Sequence, residues 1–122
     1  MISQVKKVSI VLASAVYVVV GIQHFVYPQW FVQIVPPYLP YPLQLVYISG
    51  FFEIALGLLL LIPSLRFIAG WGLVLFLIAV FPANIYVAQT NGAAMNTTPL
   101  LAWGRLPFQL VFIAIAYWHT RK

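Results

Sequence analysis

The stretch LQLVYISGFFEIALGLLLLI, residues 43–62, decides the fold of this chain. It is almost unbroken apolar sequence, of the length that crosses the hydrocarbon core of a bilayer as one α-helix. Its charged residue, Glu53, is the only acidic residue among the 122 of the chain. A carboxylate at the centre of a membrane helix costs about 2.5–3.5 kcal/mol on insertion scales. The stretch therefore predicts a membrane helix whose carboxylate has a role in the protein.

Three further stretches, residues 8–27, 67–88 and 100–118, have the same length and apolar character. Hydrophobic residues make up 64% of the chain and charged residues 6%, whereas a soluble domain has about 25% charged residues. This charge is too little to cover a surface in contact with water. The sequence thus predicts a single transmembrane domain, residues 1–122, folded as an all-α, integral membrane four-helix bundle.

The cations predict how the bundle is oriented. Five of them lie at the termini or in the short turn between the second and third spans: Lys6, Lys7, Arg66, Arg121 and Lys122. The two loops on the other side, residues 28–42 and 89–99, have no charge. Because cytoplasmic loops are enriched in Lys and Arg, both termini are expected in the cytoplasm. No basic stripe forms, so the net charge of +5 does not indicate a nucleic-acid partner.

The first outer loop, PQWFVQIVPPYLPYP, residues 28–42, has two interpretations. Trp30, Phe31 and Ile34 can share one face of a short interfacial helix that begins at Pro28. In the first interpretation the loop is an aromatic belt that anchors the outer face of the protein. In the second it is a lid over a cavity between the helices.

Polar residues of all four spans fall at similar depths. Counted at 1.5 Å per residue, Glu53 lies about 15 Å below the outer surface. His24, Asn84, Arg105 and Gln109 lie in the same outer half, whereas the inner half is almost purely apolar. Charged residues in membrane helices nearly always face the bundle interior. These five residues therefore predict an outward-facing polar pocket that either binds a ligand or holds the bundle together.

Spacing and prolines support this convergence. Pro82 and Pro107 lie inside the third and fourth spans, beside the polar residues, and each frees a backbone carbonyl four residues earlier. Small and polar residues share one helical face on three spans, which lets membrane helices approach closely. These faces are Ser14, Tyr17, Gly21 and His24; Gly50, Glu53 and Gly57; and Ala102, Arg105, Gln109, Phe112 and Ala116.

The leading hypothesis for the pocket is an ion pair between Glu53 and Arg105, because a guanidinium can bind both carboxylate oxygens. Two alternatives stay open. The polar residues can act only as internal contacts that fix the helix register, or Arg105 can extend outward to the headgroups. No catalytic residue and no metal site is predicted, since the chain has no cysteine and its two histidines lie on different spans. His119 is expected to be interfacial, without a role in the site.

Four blocks carry a resemblance to a known family: GIQHFVYPQWFVQIVPPYLPYP, LVYISGFFEIALGLLLLIP, FPANIYVA and RLPFQ. In this order, each with its polar residue, they resemble the short bacterial branch of the DoxX-like membrane proteins. The resemblance implies a four-helix multi-pass protein of the bacterial cytoplasmic membrane. The wider group includes subunits of quinone-linked oxidases and a receptor-assembly chaperone. Dithiol quinone chemistry of related four-helix enzymes is not implied, because this chain lacks cysteine.

Three functions follow as expectations. The first is a non-catalytic accessory subunit of a quinone-linked or other redox system, whose pocket holds a quinone or another lipidic ligand. The second is an assembly factor or chaperone for membrane proteins, and the third is a small proton-coupled transporter. The expected partners are the lipid bilayer and other membrane subunits or further copies of the chain. No cofactor is predicted apart from the quinone.

Overall fold

The structure is a computed structural model that describes residues 3–121. The described residues form α-helices and two short 3-10 helices, and they contain no β-strand. The α-helices are α1 (Gln4–Val26), α2 (Pro28–Val32), α3 (Pro42–Leu60), α4 (Arg66–Gln89) and α5 (Pro99–Thr120). All but α2 are long and apolar enough to cross a membrane. The predicted all-α fold with four membrane-length helices is confirmed, and each helix begins and ends within four residues of its predicted span.

Prolines and capping residues set the ends of the helices. Pro42 and Pro99 occupy the first turns of α3 and α5, where the missing amide costs no helical hydrogen bond. The Thr98 side chain caps α5 by accepting from the amide of Leu101 at 3.3 Å. The predicted short helix after the first span exists as α2 and begins at Pro28. The helices α2, α3 and α5 therefore begin at the prolines that mark helix starts in the sequence.

The long helices form two closely packed pairs, α1 with α3 and α4 with α5, and a less extensive contact between α3 and α4 joins the pairs. We call the end of the bundle where α1 begins and α5 ends the terminus-side end. The opposite end, which carries α2 and the 3-10 helix Ala93–Met95, is the loop-side end. Large apolar side chains on the outward faces of the helices stay exposed. This exposure is consistent with contact between the helices and a lipid bilayer.

Glycines bring α1 and α3 together, as the small-residue faces predict. A Cβ built on Gly50 would lie 2.6 Å from His24 Cβ and 3.0 Å from the carbonyl oxygen of Gly21. Two turns further along α3, Ser14 Oγ donates to the carbonyl of Gly57 at 2.7 Å. Membrane helices associate through this kind of close van der Waals packing, because apolar side chains are equally well solvated by lipid. The α1–α3 contact therefore places His24 and Glu53 on neighbouring walls of the bundle.

Replacing Gly50 with alanine should weaken the α1–α3 contact. The new methyl group meets a Cβ and a backbone oxygen, neither of which is the end of a flexible side chain. Overpacking of this kind costs about 1–3 kcal/mol, so we expect Gly50→Ala to lower the melting temperature of the purified protein in detergent. Gly104→Ala is the matched control, since nothing lies within 4 Å of a Cβ at that position. Equal melting temperatures for the two variants would contradict the proposed tight contact.

Candidate functional site

A cavity of about 610 Å³ lies between α1 and α5 and is also bounded by α3 and α4. All five residues that the sequence assigned to the polar pocket line it: His24, Glu53, Asn84, Arg105 and Gln109. Residue counts along the spans predicted that these side chains lie at a similar depth, and in the structure they line one cavity. Most of the remaining wall is apolar and comes from α1, α4 and α5.

The cavity opens sideways rather than only toward the loop-side end. Leu12 and Val16 of α1 line it, yet they are 61% and 53% exposed, and Phe112 of α5 is also exposed. The sequence predicted a pocket that opens toward the outer side, whereas the cavity also opens laterally between α1 and α5. The physical reason is the pairing of the helices: α1 packs on α3 and α5 packs on α4, which leaves α1 and α5 separated along their length.

At the terminus-side end the gap between α1 and α5 is bridged by polar contacts. Ser9 Oγ lies 2.8 Å from His119 Nε2, and the Lys6 ammonium donates to the carbonyl of Arg121. His119 is only 2% exposed and lines the cavity together with Ser9. His119 was expected to lie outside the site, whereas the structure buries it and places it in the cavity wall. The signal was in the sequence: the polar stripe of α5 that ends at Ala116 reaches His119 three residues later.

His24 forms part of the loop-side end of the cavity. Its Nδ1 lies 2.8 Å from the carbonyl oxygen of Val20. Because a carbonyl only accepts, this nitrogen carries the hydrogen, and Nε2 is the acceptor of the neutral ring. The Phe31 ring stacks on the imidazole with 3.9 Å between centroids and 19° between planes. Phe31 and Ile34 also line the cavity, so the position of this loop favours the lid interpretation over a simple aromatic belt.

Glu53 is 6% exposed and lines the cavity from α3. Among the described residues its carboxyl group makes no hydrogen bond, and its one ion-pair contact joins Oε2 to His24 Nδ1 at 3.8 Å. That distance is too long for a hydrogen bond, and the same nitrogen is already bonded to Val20. No fully enclosed polar side-chain atom in this part of the chain lacks a partner. The Glu53 oxygens therefore face the space of the cavity.

A chain of hydrogen bonds joins α4 to α5. Gln109 Nε2 donates to the carbonyl of Leu77 at 2.8 Å, and Asn84 Nδ2 donates to Gln109 Oε1 at 2.9 Å. Arg105 Nε then donates to Asn84 Oδ1 at 2.8 Å. Because the Leu77 carbonyl only accepts, it sets the orientation of both amides in turn. The carbonyl that Pro82 leaves without its amide partner is that of Ile78, one residue after Leu77, so Gln109 does not bind the freed carbonyl.

The leading hypothesis of a Glu53–Arg105 ion pair is wrong. Within residues 3–121 the only ion-pair contact of Glu53 is with His24, and Arg105 is held by Asn84. Arg105 also does not extend away from the bundle, since it lines the cavity and is only partly exposed. The other hypothesis was that the polar residues only form internal contacts that fix the helix register. It agrees with the hydrogen bonds of Asn84, Gln109 and Arg105. It does not describe Glu53, which is bonded to none of them.

This arrangement can hold the polar head of an apolar molecule. The two terminal guanidinium nitrogens of Arg105 make no hydrogen bond within the described chain and are donors. Glu53 oxygens and His24 Nε2 are acceptors on the α1–α3 side of the same space. Within the described residues no three His, Cys, Asp or Glu side chains come together as metal ligands. The site therefore offers hydrogen bonds and charge rather than a coordination sphere.

Opposite effects are expected when the two charged residues are neutralised. Glu53→Gln removes a buried charge that has no bonded partner, so the melting temperature should stay the same or rise. Arg105→Met leaves Asn84 Oδ1 without its donor, and a buried group that loses its partner costs about 1–3 kcal/mol. The melting temperature of Arg105→Met should therefore fall. Equal losses in both single variants, recovered in the double variant, would instead support a direct ion pair.

Comparison with known proteins gives one family. A family model described as "Domain of unknown function (DUF8561)" matches residues 13–120. No curated protein and no solved structure matches the chain. The matched segment contains all of α3, α4 and α5 and the five predicted polar residues that line the cavity. Because the match covers most of its length, the chain belongs to this family, DUF8561.

Proposed function

We propose that this protein is a non-catalytic accessory subunit of a membrane redox system and that its cavity binds a quinone or another lipidic ligand. The observation that carries the proposal is the buried Glu53 carboxyl group, which faces the cavity without a hydrogen bond among the described residues. A group of this kind is expensive at membrane depth. A bound polar head that hydrogen-bonds to it would offset part of that cost.

The size and lining of the cavity support a ligand site. Small-molecule pockets occupy about 300–1,000 Å³ and combine apolar walls with a few placed polar groups. The cavity, at about 610 Å³, falls in this range, and apolar side chains make up most of its wall. Its lateral opening between α1 and α5 gives a molecule dissolved in the bilayer direct access. These features favour a lipidic ligand over a water-soluble one.

The redox assignment comes from the resemblance to the DoxX-like proteins, and the chemistry of the site is compatible with it. A quinone carbonyl is an acceptor and can take a hydrogen bond from the Arg105 guanidinium. The chain has no thiol and therefore no dithiol with which to reduce the quinone itself. In this proposal the protein holds the ligand, and a partner subunit carries out the electron transfer.

The cavity supports ligand binding better than the two alternatives. A proton-coupled transporter needs a polar path from one end of the bundle to the other. Between His24 and Ser9 the α1 wall of the cavity is apolar except for Tyr17. An assembly factor needs a face for client helices, but such a face gives no reason for an unbonded carboxyl group inside the bundle.

A bulky side chain placed in the cavity should displace the ligand. Ala83 lines the cavity from α4, whereas Ala79, one turn earlier on the same helix, is exposed and does not. We expect native mass spectrometry of the protein in nanodiscs to show a bound lipidic molecule in the wild type and in Ala79→Phe. The molecule should be lost in Ala83→Phe. A wild type without a bound molecule, or equal occupancy in both variants, would refute the proposal.

We further propose that the protein lies in the bacterial cytoplasmic membrane with both termini in the cytoplasm. The support is the uncharged composition of loops 28–42 and 89–99 against the cations at the other end. Because the chain has no cysteine, a single introduced thiol reports its own side. In intact cells a membrane-impermeant maleimide should label Tyr38→Cys, which replaces an exposed loop residue, and should not label Lys7→Cys. The reverse pattern would contradict the orientation.

A further inference from the structure

We infer, building on the proposed function, that the ligand is a single-tailed amphiphile whose head carries both a hydroxyl donor and an acceptor oxygen. The head lies between Glu53 and Arg105, and the tail runs toward the terminus-side end of the cavity. The molecule enters sideways from the bilayer between α1 and α5. Each part of this inference rests on a separate feature of the cavity.

The two charged residues set the requirement on the head. Glu53 oxygens accept hydrogen bonds in either protonation state, and they have no donor among the described residues. Arg105 can only donate, and its terminal nitrogens have no acceptor in the same part of the chain. The two residues belong to different helices, α3 and α5, and line one space. A head that satisfies both must therefore donate toward α3 and accept from α5.

This requirement separates classes of lipid. A fatty-acid methyl ester offers an acceptor to Arg105 but no donor to the Glu53 oxygens. A monoacylglycerol offers an ester carbonyl and two hydroxyl groups, so it satisfies both. Among the quinones of the proposed function, the oxidised ring has acceptors only, whereas each hydroxyl of the reduced ring can both donate and accept. A ligand that leaves a buried polar group of the site without a hydrogen bond binds much more weakly than one that pairs it. The site therefore discriminates between these classes of lipid.

The direction of the tail follows from the two ends of the cavity. At the loop-side end Phe31 stacks on His24, and the ring occupies the space above the imidazole. From His24 the cavity continues along α1 as far as Val5, about 28 Å of helix at 1.5 Å per residue. Leu12, Val16 and Ile115 give this stretch an apolar lining. An alkyl chain attached to a head at Glu53 therefore extends toward Ser9 and His119.

Several residues are both exposed on the outside of the bundle and part of the cavity wall, which indicates that a ligand can enter sideways. These residues are Val5, Val8, Leu12 and Val16 of α1 and Phe112 of α5. At the terminus-side end Ser9 and His119 close the gap with a hydrogen bond. The long opening between α1 and α5 therefore gives an alkyl chain a lateral route into the cavity.

Photoreactive lipids test the placement of head and tail. Two monoacylglycerols are used with the wild-type protein in phosphatidylcholine nanodiscs, one with a diazirine beside the head and one with a diazirine at the tail end. We expect the head probe to label residues near Phe31 and Asn84, and the tail probe to label residues near Leu12 and Ile115. Labelling in the reverse order would overturn the inference and leave ligand binding intact. Uniform labelling of all lipid-facing surfaces would overturn both.

Competition tests the donor requirement. Unlabelled monoacylglycerol should displace the head probe about tenfold more effectively than the methyl ester of the same fatty acid, the factor expected for one hydrogen bond to a charged group. Equal displacement by the two lipids would overturn the inference, whatever the behaviour of the variants.

Variants assign this preference to Glu53. Glu53→Leu should abolish the difference between the two lipids, whereas Glu53→Gln should retain part of it because its amide oxygen still accepts. Phe52→Leu, at the exposed neighbouring position, is the control and should retain the full difference. If Glu53→Leu still prefers the monoacylglycerol, another group binds the hydroxyl of the head, and the assignment of this preference to Glu53 is wrong.

Discussion

The close approach of α1 and α3 is the contact on which the geometry of the site depends. At Gly21 and Gly50 the two backbones come so near that a Cβ on either would meet atoms of the opposite helix at 2.6 Å. This approach fixes the rotation of both helices, and it therefore fixes where His24 and Glu53 point. Because the α1 wall opposite Glu53 offers a histidine whose Nδ1 is already bonded to Val20, the carboxyl group faces the cavity without a partner from α1.

The second pair of helices satisfies its own polar groups. Gln109, Asn84 and Arg105 form a continuous series of hydrogen bonds that starts at a backbone carbonyl of α4. Each bond orients the next, so Arg105 is held on the α4–α5 side by its Nε while its terminal nitrogens remain available. The two helix pairs thus present a carboxyl group and a guanidinium group to one space without joining them. A carboxyl group and a guanidinium group on opposite sides of a cavity form an arrangement that a polar head can bridge.

Much of this site was predictable from the sequence, and the failures share one cause. Depth along each span follows from residue counting at 1.5 Å per residue, which is why the level of Glu53, Asn84 and Gln109 could be predicted. The partner of each side chain depends on helix rotation and on which helices are neighbours, and neither follows from hydropathy. The predicted Glu53–Arg105 pair required α3 and α5 to face each other directly, whereas α5 packs on α4. The same missing information hid the lateral opening and the contact of His119 with Ser9.

The energetics of Glu53 give the reason to connect its burial with function. A polar network that only stabilises a membrane bundle is expected to bond its members to one another, as the α4–α5 series does, because an unpaired buried group costs more than a paired one returns. Glu53 is buried as deeply as Asn84 and Gln109, yet its oxygens have no hydrogen-bond partner within residues 3–121. Its oxygens reach the cavity rather than another side chain, so its burial adds no hydrogen bond to the bundle. A donor that enters the cavity can hydrogen-bond to Glu53, so the cavity favours a molecule that carries such a donor.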